Sequence, residues 1–382
     1  MKNTTVFILL LTFLLSCNNK DESRSTSNTI KDEIYCVNVS SPQETDNLFL
    51  QAYSSGICRS TSAEMEGKSI FFGYNKKLHS IDMINLSEKK PFKQILLSKD
   101  GPNSVGLMIV GIAYYDGSII VDDSYYYYKI DLDGKVLSKT SKSELLDSLV
   151  KDYTFNKVMP IMWMGYRFLL MDPIKGEFTV TLYPFSNPDN SLPLYVAIVS
   201  ADSWKVTSLI KIPFPDFIKA EGDMYELNVL NAQPVKNKIV YNYPASSKIF
   251  VYDRITKALN VIDFKTKLSK SFNKPIDKFG IDKSRASMFF GYYYPLYYDA
   301  YRDVFWRLNV GEINERGKYL NRTYALSRIS GDFLDYKEIE LPSDLLDTEV
   351  IITEDRVLFG FNEWSNQLSP DSVKFYSISP TI

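Results

Sequence analysis

Short apolar segments follow one another along most of the chain. From Ser69 onward, runs of roughly four to seven residues rich in Tyr, Phe, Ile and Val are closed by turn residues, a pattern that predicts β-strands. The pairs Asp116-Gly117 and Asp133-Gly134 lie between such runs. Asp-Gly pairs favour tight hairpin turns because these turns need positive backbone angles. The pattern therefore predicts antiparallel meanders of about four strands.

A third strand ending in Asp or Ser marks each repeat of the meander. The six candidate ends are Asp82, Asp131, Ser200, Asp253, Ser330 and Ser379. They recur about every 59 residues on average, and a four-stranded unit repeated at such a period is typical of a β-propeller. Six units fit between Asp32 and Ile382. We therefore predict an all-β fold, a six-bladed β-propeller, with seven blades as the alternative.

The sixth unit contains three strands before the chain stops, so one strand is missing. Residues 34–39 form an apolar run that can supply it, and this pairing would close the ring without free edges. Two of the longer repeats carry insertions. Residues 141–144 have the pattern of a capping box and predict a short helix, and residues 187–191 predict a turn-rich loop.

The N-terminal residues carry an export signal. Residues 6–15 are apolar except for Thr12, and ten helical residues span roughly 15 Å, half of a bilayer core. We therefore predict a signal peptide over residues 1–16. The tetrad Leu14-Leu15-Ser16-Cys17 resembles the lipobox of bacterial lipoproteins, which implies cleavage before Cys17 and acylation of its thiol. An ordinary secretory signal that contains a cysteine is the alternative.

Residues 17–31 read as a flexible tether, with Ile30 as the only apolar side chain after Cys17. Such a segment cannot bury enough surface to order itself, so we place the propeller domain at 32–382. Lys20-Asp21-Glu22 resembles an export tag that sends some Gram-negative lipoproteins to the cell surface. We expect a protein anchored to the outer membrane through Cys17. The cell surface and the periplasmic face both stay open.

Composition excludes several kinds of site. One histidine, His79, and three cysteines cannot form a His-rich zinc site or a cysteine cluster. A net charge of -2 gives no electrostatic reason to expect nucleic acid as a partner, and we predict no metal and no cofactor. Once Cys17 is acylated, Cys36 and Cys58 could form a disulfide in an oxidising compartment, or each could be a small buried hydrophobe.

Carboxylates are the main candidates for catalytic chemistry, because no nucleophile elbow, phosphate loop or dinucleotide-binding glycine pattern occurs. Asp122 and Asp123 are adjacent, but neighbouring residues of a strand point to opposite faces, so these two would not converge on one bond. A distant residue such as Glu64, Glu226 or Glu349 could complete a pair across the central channel of the propeller.

The aromatic residues, 14% of the chain, are conspicuous. Packing between stacked blades explains most of them. Rings beside predicted turns could instead line a loop face, where they would suit a sugar or a peptide. The candidate ligand-binding residues are therefore Trp163, Tyr292, Tyr294, Trp364, Asp123 and Glu64.

The lipobox, the polar tether and six meanders without a catalytic motif together resemble the uncharacterised six-bladed, TolB-like propeller lipoproteins of Gram-negative bacteria, a family catalogued as a domain of unknown function. This resemblance implies a propeller at the outer membrane and carries over no functional residues. We expect a binding or scaffold module for another envelope protein or a glycan on the loop face. The alternative is a carbohydrate-active or other hydrolytic enzyme with carboxylates in the central channel.

Overall fold

The structure of the protein is a computed structural model. It describes residues 33–38, 60–75, 78–123, 125–147, 169–182, 194–212, 230–244, 246–268, 291–311, 323–341, 350–360 and 372–378.

The described residues form 24 β-strands and one short helix. The first strand is β1 (Glu33–Asn38). Blade 1 consists of β2 (Ser60–Met65), β3 (Lys68–Asn75), β4 (Ser80–Asn85) and β5 (Lys90–Leu96). Blade 2 consists of β6 (Ile109–Tyr115), β7 (Ser118–Asp123), β8 (Tyr126–Ile130) and β9 (Val136–Ser141). Helix α1 (Lys142–Asp147) follows, as the capping box predicts.

The remaining blades repeat this plan. Blade 3 consists of β10 (Met171–Asp172), β11 (Glu177–Leu182), β12 (Leu194–Ser200) and β13 (Val206–Ile212). Blade 4 consists of β14 (Asn231–Val235), β15 (Lys238–Asn242), β16 (Lys248–Asp253) and β17 (Leu259–Asp263). Blade 5 consists of β18 (Tyr292–Asp299), β19 (Val304–Val310), β20 (Tyr324–Ser330) and β21 (Tyr336–Leu341). Blade 6 consists of β22 (Val350–Ile352), β23 (Val357–Gly360), β24 (Ser372–Ile378) and, from the other end of the chain, β1.

The blades are arranged as a β-propeller. Each is an antiparallel meander of four strands, and the inner strands β2, β6, β10, β14, β18 and β22 surround a central cavity that all six blades line. The predicted all-β fold with six blades is confirmed, and the alternative of seven blades is not needed.

The N-terminal strand closes the ring. β1 pairs antiparallel with β24, with Glu33 opposite Ser377 and Asn38 opposite Ser372. β1 therefore occupies the outer position of blade 6. The sequence predicts this, because the sixth unit has only three strands of its own. Cys36 lies in this strand, opposite Lys374, whereas Cys58 lies outside the described residues.

The connections between strands differ on the two faces of the propeller. Within each blade, the turns from first to second strand and from third to fourth strand lie on one face, which we call the short-turn face. They are residues 66–67, 86–89, 116–117, 131–135, 173–176, 201–205, 236–237, 254–258, 300–303, 331–335 and 353–356. The opposite face, which we call the long-loop face, carries the longer connections. Most of these, including residues 187–191, lie outside the described residues.

Side-chain oxygens at the ends of third strands stabilise several of the short turns. Asp131 accepts a hydrogen bond from the backbone N–H of Asp133 at 2.9 Å, and Asp253 accepts one from that of Ile255 at 2.8 Å. The corresponding residue of blade 1 is Asn85, which accepts from the N–H of Glu88 at 2.9 Å. The predicted end at Asp82 is therefore wrong by three residues.

Aromatic rings pack between neighbouring blades. The rings of Tyr127 and Phe178 lie 4.9 Å apart and join blades 2 and 3, and those of Phe72 and Tyr114 lie 5.3 Å apart between blades 1 and 2. The backbone of blade 3 also approaches Gly111 of β6, where an added Cβ would lie 2.9 Å from Cβ of Leu169. The interfaces between blades thus contain much of the hydrophobic core.

No helix within the described part of the chain has the length and hydrophobicity needed to cross a membrane.

Candidate functional site

The central cavity has a volume of about 290 Å³ and lies near the short-turn ends of the inner strands. Its wall includes the end of β2 with Glu64, the end of β6 with Tyr115, and Tyr301 from the turn after β18. Apolar and aromatic residues such as Tyr297 and Ile352 share this wall with polar residues such as Thr61 and Gln233. A concave site that combines both kinds of residue is a candidate small-molecule site.

Hydrogen bonds between blades hold the wall of the central cavity in place. Gln233 donates to the carbonyl of Met171 in blade 3 at 3.2 Å and accepts from the N–H of Tyr298 in blade 5 at 3.1 Å. Ser62 donates to the carbonyl of Ile352 in blade 6 at 2.8 Å. The cavity is therefore part of the rigid centre of the propeller.

Glu64 is the carboxylate of the central cavity that the sequence predicted. It is partly buried and accepts a hydrogen bond from the hydroxyl of Ser69. Partial burial raises the pKa of Tyr301 to about 12, and the negative charge of Glu64 adds to this effect. A ligand in the cavity would therefore meet two carboxylates, those of Glu64 and Asp116, and a neutral phenol. Glu226 and Glu349 lie outside the described residues.

A second candidate site lies on the long-loop face of blade 2. Tyr125 is 64% exposed and Leu107 is 58% exposed, and Met108 and Tyr126 are exposed beside them. These four residues form what we call the loop-face patch. Leu107 and Met108 immediately precede β6, and Tyr125 and Tyr126 lie at the start of β8, shortly after Asp123 in the chain. An exposed group of large apolar and aromatic side chains is a common mark of a binding surface.

Asp123 supports the loop-face patch. One carboxylate oxygen accepts the backbone N–H groups of Tyr125 at 2.6 Å and Tyr126 at 2.5 Å, and the other accepts the hydroxyl of Tyr128 at 2.9 Å. Gly106 packs against the same carboxylate so closely that a Cβ there would lie 2.0 Å from it. Asp123 is buried and does not line the central cavity. Its position is that of a residue that orients the tyrosines.

Asp122 faces the other side of the blade, as the alternation of strand residues predicts. Its carboxylate pairs with the ammonium of Lys142 at 2.5 Å, which also lies 4.8 Å from the ring centre of Tyr127. Complete burial raises the pKa of Asp122, and the neighbouring ammonium opposes this rise. Asp122 and Asp123 therefore do not form an acid and base pair.

Two other predicted ligand residues lie within the hydrophobic core. Tyr292 and Tyr294 belong to β18, where both are buried, and their rings lie 5.4 Å apart. Trp163, Trp364 and the proposed lipidation site Cys17 lie outside the described residues.

His79 has a structural environment. Its Nδ1 lies 2.9 Å from the hydroxyl of Tyr74, its Nε2 lies 3.1 Å from the carbonyl of Val105, and burial lowers its pKa. In the part of the chain that the structure describes, no three His, Cys, Asp or Glu side chains are grouped so that they could hold a metal ion.

Sequence reasoning did not single out Gln233, Tyr301, Leu107 or Met108. Gln233 lies in β14 of blade 4 and Tyr301 in the turn after β18 of blade 5. Their spacing in the sequence does not show that both line the same cavity. Leu107 and Met108 could have been noticed as an apolar pair directly after Gly106. The pattern of apolar residues does not predict that Leu107 and Met108 are exposed, because this depends on how the folded chain is arranged at the long-loop face.

Comparisons with known proteins identify the family. The model of the family described as domain of unknown function (DUF4221) matches residues 44–333, so the chain belongs to this family. No curated protein sequence matches it.

Solved structures show the same fold at low sequence identity. The chain is similar to a DUF4221 member from Bacteroides vulgatus with a TM-score of 0.64 and 14% identity, over 93% of this chain and 99% of that one. It is also similar to a Bacteroides fragilis protein named "Putative exported protein", with a TM-score of 0.52 and 8% identity, over 93% and 98% of the two chains.

Proposed function

We propose that this propeller is a binding module that holds a protein or a glycan on its long-loop face. The observation that carries the proposal is the loop-face patch, in which Tyr125, Tyr126, Leu107 and Met108 remain exposed around a buried carboxylate. Tyrosine suits both classes of ligand, because its ring offers apolar area and its hydroxyl a hydrogen bond. The propeller fold itself is consistent with a binding or scaffold role.

The geometry of Asp123 supports this role. Its carboxylate accepts both backbone N–H groups of the tyrosine pair, so the backbone of these two residues is held in place before a ligand arrives. A surface that is ordered in advance loses less conformational entropy when it binds.

Glycan and peptide panels screened with the full-length protein test the proposal. Tyr125→Ser combined with Tyr126→Ser should weaken binding about tenfold or more, which corresponds to at least about 1.4 kcal/mol. Phe92→Ser is the matched control, because Phe92 is an exposed aromatic residue of the outer strand β5 and belongs neither to the loop-face patch nor to the central cavity. Binding that survives the double substitution but is lost in the control would contradict the proposal.

A second candidate function is hydrolysis in the central cavity, favoured by the position of Glu64 in its wall. The same panels, assayed for cleaved products, distinguish the two functions. Turnover that disappears in Glu64→Gln, while the tyrosine double variant retains it, would favour the enzyme. Binding without turnover favours the binding module.

We further propose that the protein is an outer-membrane lipoprotein anchored through Cys17, at the cell surface or on the periplasmic face. The apolar run of residues 6–15, the tetrad that ends at Cys17 and the polar residues 18–31 support this. The name of the similar Bacteroides fragilis protein also points to export of that protein.

A further inference from the structure

We propose that the short-turn face is the surface on which this protein meets membrane lipid, with the long-loop face directed away from the bilayer. This inference rests on the lipid anchor of the proposed function. It adds an interaction surface, a class of partner and an orientation, none of which follows from the anchor alone.

The first observation is where the chain enters the propeller. β1 begins at Glu33, opposite Ser377 near the end of β24. Third strands end on the short-turn face, so the segment that precedes Glu33 is attached at that face. A segment of about fifteen residues that behaves as a flexible chain has a mean end-to-end distance of roughly 20 Å.

Length alone does not fix the orientation. Strands of six to eight residues make the propeller roughly 20–25 Å thick, and a fully extended tether of this length would reach about 50 Å. Either face could therefore touch the membrane in an extreme conformation of the tether. At its average length, such a tether would hold the short-turn face nearer to the membrane than the long-loop face. The side chains of the short-turn face are therefore needed to choose between the two orientations.

The second observation is a set of apolar side chains that project from the short-turn face. Leu334 is 86% exposed, Ile255 is 70% exposed and Ile174 is 68% exposed, and Tyr301 lies among the exposed residues too. They belong to turns of three consecutive blades, 3, 4 and 5. We call these four residues the apolar tips.

Hydrogen bonds fix the backbone of the turns that carry the apolar tips. The backbone N–H of Ile174 bonds to Asp172 at 2.9 Å and that of Ile255 to Asp253 at 2.8 Å. Those of Leu334 and Tyr301 bond to Ser330 at 3.1 Å and to Asp299 at 3.1 Å. From these turns the four side chains extend into solvent, where another surface can cover them.

The point of attachment favours lipid head groups as that surface, because the segment that would carry the lipid anchor joins the propeller on the same face. Exposed charges of both signs lie in the short turns of blades 3 to 5, namely Lys175, Lys205, Lys257, Asp202, Asp332 and Asp335. Charge therefore gives no preference for anionic lipid, and the apolar side chains themselves would enter the bilayer interface. Because the apolar tips belong to blades 3 to 5, the propeller should tilt so that these blades lie closest to the lipid.

The test places one fluorescent label at a time on the full-length, acylated protein in vesicles of phosphatidylethanolamine and phosphatidylglycerol that contain a spin-labelled lipid as quencher. Cys36→Ser and Cys58→Ser remove the other thiols. Ile255→Cys and Leu334→Cys carry the label on the short-turn face, and Tyr125→Cys is the matched control on the long-loop face. We expect several-fold stronger quenching at the two apolar tips than at the control. The same ratio is expected in vesicles of phosphatidylethanolamine and phosphatidylcholine, because the charges around the apolar tips are of both signs.

The outcomes separate the orientation from the anchor. A mass spectrum without acyl groups on the chain overturns the anchor and with it the orientation. An acylated chain whose labels at positions 255 and 334 are quenched no more than the label at position 125 overturns the orientation alone. That second result would also be found if the apolar tips bound another envelope protein rather than lipid.

A measurement without substitutions covers the case in which a labelled variant fails to fold. Hydrogen exchange of the acylated wild-type protein on the same vesicles should slow in residues 253–258 and 330–336, relative to the acylated protein in detergent. Exchange in residues 107–108 and 125–126 should be unchanged. Slowing confined to the second set would overturn the proposal.

Discussion

Asp82 is a charged residue that the fold buries in a hydrogen-bonded network of blade 1. Its carboxylate accepts hydrogen bonds from Ser80 at 2.8 Å, Gln94 at 2.9 Å and Asn75 at 2.9 Å. Burial nevertheless raises the pKa of Asp82 from 3.8 to about 6, because the three donors compensate only part of the lost solvation.

This carboxylate predicts a specific dependence of stability on pH. Because the pKa is higher in the folded than in the unfolded chain, the folded state binds the proton more tightly, and this stabilisation is complete below about pH 4 and lost as the pH rises to about 6. Asp82→Asn removes the titration. The free energy of unfolding of the wild type should therefore fall relative to that of the variant by about 3 kcal/mol between these pH values.

Denaturant titrations of both proteins across this range measure the difference. Other buried acids such as Asp122 change both profiles equally, so only the difference between the two proteins reports on Asp82. Parallel profiles would show that Asp82 titrates normally.

The roles of adjacent residues show how far prediction reaches at the residue scale. Strand alternation predicts correctly that Asp122 and Asp123 face opposite sides. It cannot show that one pairs with Lys142 and the other orients the tyrosines of the loop-face patch, because these partners lie in the next segments of the chain and in other elements. Burial of Tyr292 and Tyr294 likewise depends on neighbouring blades.

At the scale of elements, β1 is the strand on which closure of the ring depends. Deletion of residues 1–38 removes it, and deletion of residues 1–32 is the matched control that retains it. Each ladder hydrogen bond contributes about 1 kcal/mol net, so loss of the six-residue strand should cost several kcal/mol and lower the melting temperature. The exposed edge of β24 should also promote aggregation.

Thermal unfolding and light scattering of the two truncated proteins measure both effects. The control should behave as the full-length chain does. Equal melting temperatures for the two truncations would mean that β1 does not hold the last blade.

The succession of strands can be predicted from the sequence because each strand and hairpin depends on local residues. Alternating apolar residues and the turn pairs at Asp116-Gly117 and Asp133-Gly134 specify hairpins without reference to the rest of the fold. The exact end of each strand is harder to predict. The pattern predicts that the third strand of blade 1 ends at Asp82, whereas it ends at Asn85. The requirement for Gly111 arises only where blade 3 approaches blade 2.

At the scale of the whole molecule, the proposed anchor predicts where the protein is found. Cys17→Ala removes the thiol that would be acylated, so the variant should move from the membrane fraction to the soluble fraction, because the propeller's own contacts with lipid are weaker than buried acyl chains. Cys36→Ala is the control and should leave the protein in the membrane fraction. Cell fractionation followed by immunoblotting makes the comparison.

A Cys17→Ala protein that stays fully in the membrane fraction would contradict the lipid anchor. A partial shift to the soluble fraction would instead indicate that the short-turn face itself holds part of the protein at the bilayer. This distinction matters because the orientation proposed above depends on both contributions.

The sequence by itself determined the all-β class, the number of blades and the closing strand, because each follows from a local pattern or from its repetition. Only the tertiary structure decided which carboxylates face a cavity and which exposed side chains share a surface. Glu64 and Tyr301 meet in the central cavity although 237 positions separate them. A propeller brings together equivalent ends of distant repeats, and that proximity has no signature in the local sequence.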